Sequence, residues 1–222
     1  MKTLIYGDPH GRWEPLLNHP MHDVEAVIVL GDLAEGKLDP GGPDRAREAF
    51  QEILNRGIDL RFIVGNHDNG TPDLWSVIDE SDDRRIDGRV VEVGDLRIAG
   101  LGGVIRGKVW SGDAVPKYHS EAEFVAQTPP QERHKGGRPW RHLTTIMPWT
   151  VEELRAQKAD VLITHEAPSN HQHGWEFIDD LAADMGARLI VHGHHHRSYS
   201  DVLESGIRVR GVGLARVWEL EI

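Results

Sequence analysis

Short apolar runs alternate with amphipathic stretches along most of the chain. Five runs, at residues 3–6, 26–30, 60–64, 160–164 and 188–192, are largely apolar, which is typical of strands buried on both faces of a parallel sheet. Residues 44–56 have apolar positions at helical spacing, residues 72–78 begin with proline, and residues 14–18 form a shorter helical piece. The pattern therefore predicts crossover helices that join parallel strands, which is an α/β fold.

From residue 89 onward the pattern indicates strands that turn back on themselves. Residues 90–93 and 96–99 flank Gly94-Asp95, a two-residue turn typical of a hairpin. Residues 207–210 and 214–222 predict two further strands, and residues 150–157 and 175–186 predict two more helices. We therefore expect antiparallel strands at the edges of a mixed sheet or in a second sheet.

The segment 102–149 does not follow this alternation. It contains seven lysine and arginine residues and three of the seven tryptophans, in a chain whose net charge is −11. A long stretch without regular structure in a compact domain is usually functional or disordered, and disordered segments are poor in aromatic residues. We therefore interpret the segment as a cap or substrate loop near the functional site, in preference to a plain surface insertion.

Metal-binding side chains follow each of the five apolar runs. Because the carboxyl ends of parallel strands meet at one edge of a sheet, these side chains should converge on one site. Carboxylate, imidazole and amide ligands suit Mn²⁺, Zn²⁺ or Fe, and cysteine is absent from the chain. The donors are too many for one four-coordinate zinc but suffice for two ions that share a carboxylate. The candidates are Asp8, His10, Asp32, Asn66, His67, His165, His194 and His196.

Composition limits the domain organisation and the location. A chain of 222 residues is long enough for one domain and short for two. No apolar run approaches the roughly 18 residues of a membrane helix, and the first metal-binding motif begins too early for a signal peptide. With no cysteine for a disulfide, we expect a cytoplasmic protein without a membrane partner.

Net charge bears on the substrate. A value of −11 disfavours long nucleic acid, because non-specific binding depends on lysine and arginine. The negative net charge does not disfavour a small phosphate ester as substrate, since two divalent ions would make the site itself electropositive.

The ordered motifs resemble a known family. Asp8-Pro9-His10, Gly31-Asp32, Gly65-Asn66-His67-Asp68, His165 and Gly193-His194-His195-His196 are similar, in order and approximate spacing, to the five motifs of the calcineurin-like metallophosphoesterases. The resemblance implies one domain over residues 1–222, with a two-sheet β-sandwich flanked by helices, four layers in the order αββα. It also implies hydrolysis of a phosphate ester by a water or hydroxide held between two metal ions.

The resemblance implies roles for individual residues. Asp8, His10 and His196 would hold one ion, Asn66, His165 and His194 the other, and Asp32 would bridge the two. His67 would stabilise or protonate the leaving oxygen, because imidazole titrates near neutrality. Either Asp68 or Glu35 would orient His67. Mn²⁺ is the favoured ion, with Fe, Zn and Ni as alternatives.

The sequence does not distinguish between several classes of substrate. The first motif is similar to that of the protein-phosphatase branch, but Gly36 stands where that branch has a phosphate-binding arginine. Arg106, Arg12 and Arg197 are candidates to supply that charge. A phosphomonoester (including a phosphopeptide), a phosphodiester and a dinucleotide polyphosphate are all compatible. A catalytically silent binding module and a nuclease are the alternatives, and the presence of His67 and of every ligand favours an enzyme over the former.

Overall fold

Two β-sheets packed face to face form the centre of the molecule in the computed structural model, which describes residues 2–221. The strands are β1 Lys2–Gly7, β2 Val24–Val29, β3 Asp59–Phe62, β4 Arg89–Val93, β5 Leu96–Leu101, β6 Val161–Thr164, β7 Leu189–His192, β8 Tyr199–Val202, β9 Arg208–Gly211 and β10 Arg216–Glu219. The helices are α1 Glu14–Leu17, α2 Gly42–Asn55, α3 Pro72–Glu80, α4 Glu121–Gln127, α5 Pro148–Arg155 and α6 Glu176–Met185. Short 3₁₀ turns lie at Gly36–Leu38, Pro130–Glu132 and Trp140–His142.

Both sheets are mixed. The first has the strand order β10-β1-β2-β3 and the second has the order β4-β5-β6-β7-β9-β8. β10, β4 and β8 are antiparallel to their neighbours at the sheet edges, and the remaining pairs are parallel. The predicted hairpin of β4 and β5 and the antiparallel edge at β10 are thus confirmed. The strand predicted at residues 207–210 is instead β9, which lies inside the second sheet parallel to β7, with β8 at the edge.

Alternating side chains build three apolar layers. In β1, Ile5 faces the interior between the sheets, whereas Leu4 and Tyr6 face the layer that contains α2 and α3. In β7, Leu189 and Val191 face the interior, whereas Ile190 faces the layer that contains α5 and α6. Each sheet therefore buries both faces, as the continuous apolar runs indicated, and the four-layer αββα architecture is confirmed.

The segment 102–149 is more ordered than its sequence indicated. It contains α4, and its aromatic side chains join the layer over the second sheet, with Trp110 packed on Phe177 at a centroid distance of 4.9 Å. Farther along, Trp140 donates through Nε1 to the carbonyl of Asn69 at 2.7 Å, and the Asn69 amide donates to the Trp140 carbonyl at 2.8 Å. The segment therefore covers the second sheet and also contacts the loop after β3.

Two elements were absent from the sequence prediction. β8 is an edge strand whose sequence, YSDV, is polar and mostly exposed, so it lacks the apolar pattern of the other strands. α4 is seven residues long, and it lies in a stretch rich in turn-forming residues. Within residues 2–221, no helix is both long and apolar enough to cross a membrane.

Candidate metal centre

The predicted ligands converge at one edge of the sandwich, past the carboxyl ends of β1, β2, β3, β6 and β7. Nε2 of His10 lies 3.0 Å from Nε2 of His196. On the other side, Nε2 of His165 lies 3.2 Å from Oδ1 of Asn66. Oδ2 of Asp32 stands between these groups, 3.5 Å from His10 Nε2 and 3.3 Å from His165 Nε2. This position is compatible with a carboxylate shared by two ions.

Three groups of side chains have ligand atoms that all lie within 4.8 Å of one another. They are His10, Asp32 and His67; Asp32, His165 and His194; and Glu166, His194 and His195. The first two share Asp32, in agreement with the bridging position. The first also includes His67, so its ring is near enough to contact an ion.

The backbone of this edge is strained. Eight non-glycine residues in the described part of the chain have positive φ, and five of them are predicted ligands: Asp8, His10, Asp32, His194 and His196, with φ between 36° and 66°. Such conformations cost roughly 1–3 kcal/mol each and persist where the surroundings hold them, often at functional sites. Strain concentrated on the ligand set supports a functional role for this edge.

Two glycines allow the carboxylates to approach the backbone. A Cβ on Gly193 would lie 2.5 Å from Oδ1 of Asp8, and a Cβ on Gly65 would overlap the Asp32 carboxylate. Asp8 is fully buried, and neither of its carboxylate oxygens has a hydrogen-bond partner within residues 2–221. Because a buried carboxylate without partners is costly, these oxygens fit the role of metal ligands.

Hydrogen bonds fix the orientation of His165. Its Nδ1 lies 2.7 Å from the carbonyl of Leu30, at the end of β2, and a carbonyl can only accept, so Nδ1 carries the proton. Nε2 then points towards Asp32 and Asn66. A backbone carbonyl that holds one ring nitrogen while the other faces the site is the usual arrangement of a metal-binding histidine.

Glu35 connects two of the histidines. Oε1 lies 2.6 Å from Nδ1 of His10, and Oε2 lies 3.3 Å from Nδ1 of His67. The His67 side chain is 39% exposed, and its Nε2 makes no hydrogen bond to another described residue. Glu35 therefore lies within ion-pair distance of both rings, although Nδ1 of His10 has no hydrogen-bond partner within residues 2–221.

Asp68, the other candidate for orienting His67, has a different place. Its carboxylate is fully buried and accepts from the backbone amides of Asp32 at 3.0 Å, Leu33 at 2.7 Å and Gly65 at 2.7 Å. The contacts thus correct the suggestion that Asp68 orients His67. Asp68 instead joins the loops after β2 and β3, which carry Asp32 and Asn66.

Electrostatics at the site follow from burial and from the close carboxylates. Burial raises the pKa of Asp8 to about 7. Burial would lower the pKa of His165, but Asp32 and Asp8 outweigh it and raise this pKa to about 10. Burial and the neighbouring His165 lower the pKa of His194 to about 4. The buried carboxylates thus favour positive charge beside them, and divalent ions would compete with protons for the same donors.

Glu166 is a buried acid that sequence reasoning missed. Its Oε1 accepts from the amide of Ile105 at 3.0 Å, and its Oε2 lies 3.9 Å from Nε2 of His194. Its place directly after His165 is its only sequence signal, because a single glutamate has no motif spacing of its own. Burial raises its pKa.

The three candidate arginines differ in their surroundings. Arg106 donates to Thr144 and Thr145 within its own segment. Arg12 and Arg197 are exposed, and their guanidinium groups make no hydrogen bond to any residue in the described range. Both follow predicted ligands in sequence, but no contact assigns them to substrate.

Comparison with known proteins identifies the family. The sequence profile described as calcineurin-like phosphoesterase matches residues 1–198. An uncharacterized protein of Haemophilus influenzae is 35% identical over 223 residues, covering 98% of this chain and 93% of that relative. The chain therefore belongs to the calcineurin-like phosphoesterase family.

Solved structures agree on the fold. A dimetal phosphatase from Danio rerio superposes with a TM-score of 0.59 at 16% identity, covering 97% of this chain and 88% of that chain. The protein TT1561 of Thermus thermophilus has a TM-score of 0.62 at 14% identity, covering 96% of this chain and 89% of that chain. At such identities the likeness concerns the architecture, and the chemistry must be argued from this chain's own residues.

Proposed function

We propose that this protein is a phosphoric ester hydrolase that uses two divalent metal ions. The observation that carries the proposal is the Asp32 carboxylate, which lies between the His10 and His165 imidazoles at the edge where every predicted ligand gathers. Asp8, His10 and His196 would hold one ion, and Asn66, His165 and His194 the other. Oxygen and nitrogen donors without thiolate suit Mn²⁺, with Fe, Zn or Ni as alternatives.

Two ions in this position would lower the pKa of a bound water and neutralise the phosphoryl oxygens. Protonation of the leaving oxygen would be carried out by side chains of the protein. His67, whose Nδ1 lies beside Glu35 and whose side chain is 39% exposed, would donate a proton to the leaving oxygen. Glu35 would hold the protonated ring in the required plane, since its carboxylate can accept from Nδ1.

The contacts favour an enzyme over a silent binding module. A module of this fold that had lost turnover would not need Glu35 within 3.3 Å of His67. A nuclease acting on long nucleic acid is disfavoured by the net charge of −11.

A substrate panel tests the proposal. The Mn²⁺-loaded protein should hydrolyse p-nitrophenyl phosphate or bis-p-nitrophenyl phosphate, and the panel extends to cyclic nucleotides, dinucleotide polyphosphates and phosphopeptides. The Asp32→Ala variant should lose both metal and activity. Absence of turnover on every substrate by fully metal-loaded wild-type protein would contradict the proposed function and favour the binding module.

A further inference from the structure

The seven basic residues of the segment 102–149 divide into two groups by their partners. Four are engaged elsewhere, with a backbone carbonyl, with carboxylates or with an aromatic ring: Arg133, Lys135, Arg138 and Lys117. Arg106, Lys108 and Arg141 form no ion pair within residues 2–221. We call these three residues the basic cluster.

Thr145 brings two members of the basic cluster together. Its Oγ1 accepts from Arg106 Nη1 at 3.3 Å and lies 3.1 Å from Nδ1 of His142, which directly follows Arg141. Burial and the charges of Arg106, Arg141, Arg138 and Lys108 lower the pKa of His142 to about 4. Arg141 also lowers the pKa of Arg106, after the larger effect of burial. Cations placed together repel one another, and Glu166 offsets this repulsion only in part, because its effect on the pKa of Arg106 is smaller than that of Arg141. An anion bound among them would relieve that repulsion.

The Arg106 guanidinium forms hydrogen bonds along one of its edges and has free N–H donors, among the described residues, along another. Nη1 donates to the Thr144 carbonyl at 2.7 Å and to Thr145 Oγ1 at 3.3 Å, and Nη2 donates to Thr144 Oγ1 at 3.3 Å. Nε–H and the second N–H of Nη2 make no hydrogen bond to another described residue. These two groups form one bidentate edge of the guanidinium, which matches the spacing of phosphate oxygens.

Two connections place the basic cluster beside the metal centre. The Ile105 amide donates to Glu166, whose other oxygen lies 3.9 Å from Nε2 of His194. Thr144 Oγ1 donates at 3.3 Å to Oδ1 of Asn69, which follows His67 by two residues. Arg106 is thus tied to the loops of both His194 and His67.

We propose that the basic cluster binds a second phosphate group of the substrate, which therefore carries two phosphate groups, as a polyphosphate chain or a bisphosphate does. This inference rests on the proposed function and narrows it. In the reaction, water adds its oxygen to the scissile phosphorus, the bond to the leaving oxygen breaks, and that oxygen takes a proton. The second phosphate is not transferred, and its contacts with Arg106 and Arg141 hold the substrate in place.

Kinetics on matched substrates test the inference. The pairs are adenosine 5′-monophosphate with adenosine 5′-tetraphosphate, and fructose 6-phosphate with fructose 1,6-bisphosphate. Wild-type protein should prefer the second member of at least one pair, and the preferred pair distinguishes a polyphosphate chain from a bisphosphate. The measured quantity is the ratio of kcat/KM within each pair.

Two variants and one control isolate the basic cluster. Arg141→Ala removes an exposed side chain, and Arg106→Lys retains the charge but loses the bidentate edge. Each should lower the ratio roughly 10- to 100-fold, the effect of losing a charge-assisted hydrogen bond to phosphate. Lys117→Ala removes one positive charge from the same segment and should leave the ratio unchanged.

The outcomes separate the two proposals. The inference is overturned if the protein turns over substrate but neither variant changes the kcat/KM ratio. It is also overturned if the wild-type protein prefers neither adenosine 5′-tetraphosphate nor fructose 1,6-bisphosphate over its partner. Either result leaves the phosphoesterase proposal intact. If the fully metal-loaded protein turns over no substrate, both proposals fall together.

Discussion

At the scale of single residues, the Glu35 carboxylate lies close to two of the site's histidines. One of its oxygens lies 2.6 Å from His10, a proposed ligand, and the other lies 3.3 Å from His67, the proposed proton donor. One carboxylate therefore lies beside both rings. Changes at His67 and at Glu35 should have different consequences, since only His67 would act on the leaving oxygen.

His67→Ala should reduce kcat by roughly 10²–10⁴-fold, the usual contribution of a general acid, and should leave the metal content unchanged. The loss should be smaller for aryl esters than for alkyl esters, because a good leaving group has less need of a proton. Steady-state kinetics with elemental analysis measure both. Loss of an ion from the variant would show that His67 is a ligand, which its distance from His10 and Asp32 also permits.

Glu35→Gln should reduce metal affinity or activity roughly 10- to 100-fold, as expected when a carboxylate behind a metal-binding histidine is neutralised. A glutamine carries no charge, and its amide nitrogen would face one of the two rings, where Glu35 has an acceptor oxygen. Metal titration and a pH–rate profile check this result. Glu52→Gln, on the exposed face of α2, is the control. If the two variants have the same metal affinity and the same pH–rate profile, Glu35 has no role in metal binding or proton transfer.

The proposed ligand set could be predicted from sequence because donor side chains directly follow apolar strands. The choice between Glu35 and Asp68 was not, since it depends on which carboxylate reaches Nδ1 of His67 and which is taken up by backbone amides. Glu166 was missed for a related reason. Its significance comes from a contact across the fold to Ile105 and from the approach of His194.

At the scale of elements, the loop after β3 is joined to the segment 102–149 through Asn69. Its side chain donates to the Trp140 carbonyl and accepts from Thr144 Oγ1. Because His67 lies two residues before Asn69, this junction connects the proposed proton donor to the basic cluster. The segment thus has a structural role here, whatever its part in substrate selection.

Asn69→Ala should lower the free energy of unfolding by about 1–3 kcal/mol, because two hydrogen bonds are lost and the Trp140 carbonyl loses its donor. Denaturant unfolding measures the change. Asn55→Ala, at the exposed end of α2, should change stability by less than about 0.5 kcal/mol. A change at Asn69 as small as that at Asn55 would mean that the junction contributes little.

Elements with strong periodicity were predicted well, and the others were not. The five parallel strands and the hairpin have clear apolar patterns. α4 had a start signal, since Ser120 Oγ accepts from the Glu123 amide and Glu123 accepts from the His119 amide, but one capping motif in a turn-rich stretch is weak evidence. β8 carries no such signal, because its place is set by pairing with β9.

At the scale of the whole molecule, two sheets hold the ligand-bearing loops at one edge against considerable unfavourable energy. Buried carboxylates and five proposed ligands with positive φ both oppose folding. Ions that bind only the folded state would offset this cost, by about 4 kcal/mol when their concentration is 1,000 times the dissociation constant. Stability should therefore depend on metal.

Removal of metal by a chelator should lower the Tm of the wild-type protein by roughly 10 °C, given about 2–4 °C per kcal/mol for a chain of this size. Calorimetry with and without chelator measures the difference. The Asp32→Ala variant should show little further decrease, because its ions are already weakly bound. A wild-type Tm that does not respond to the chelator would indicate that metal binding and folding are not coupled.

We expect one edge of the sandwich to hold two metal ions bridged by Asp32. Anomalous diffraction from crystals grown with Mn²⁺ tests it most directly. We expect two peaks about 3.5–4 Å apart, one contacted by Asp8, His10 and His196 and the other by Asn66, His165 and His194, with Asp32 contacting both. A single fully occupied peak, with His165 directed away from it, would contradict the account.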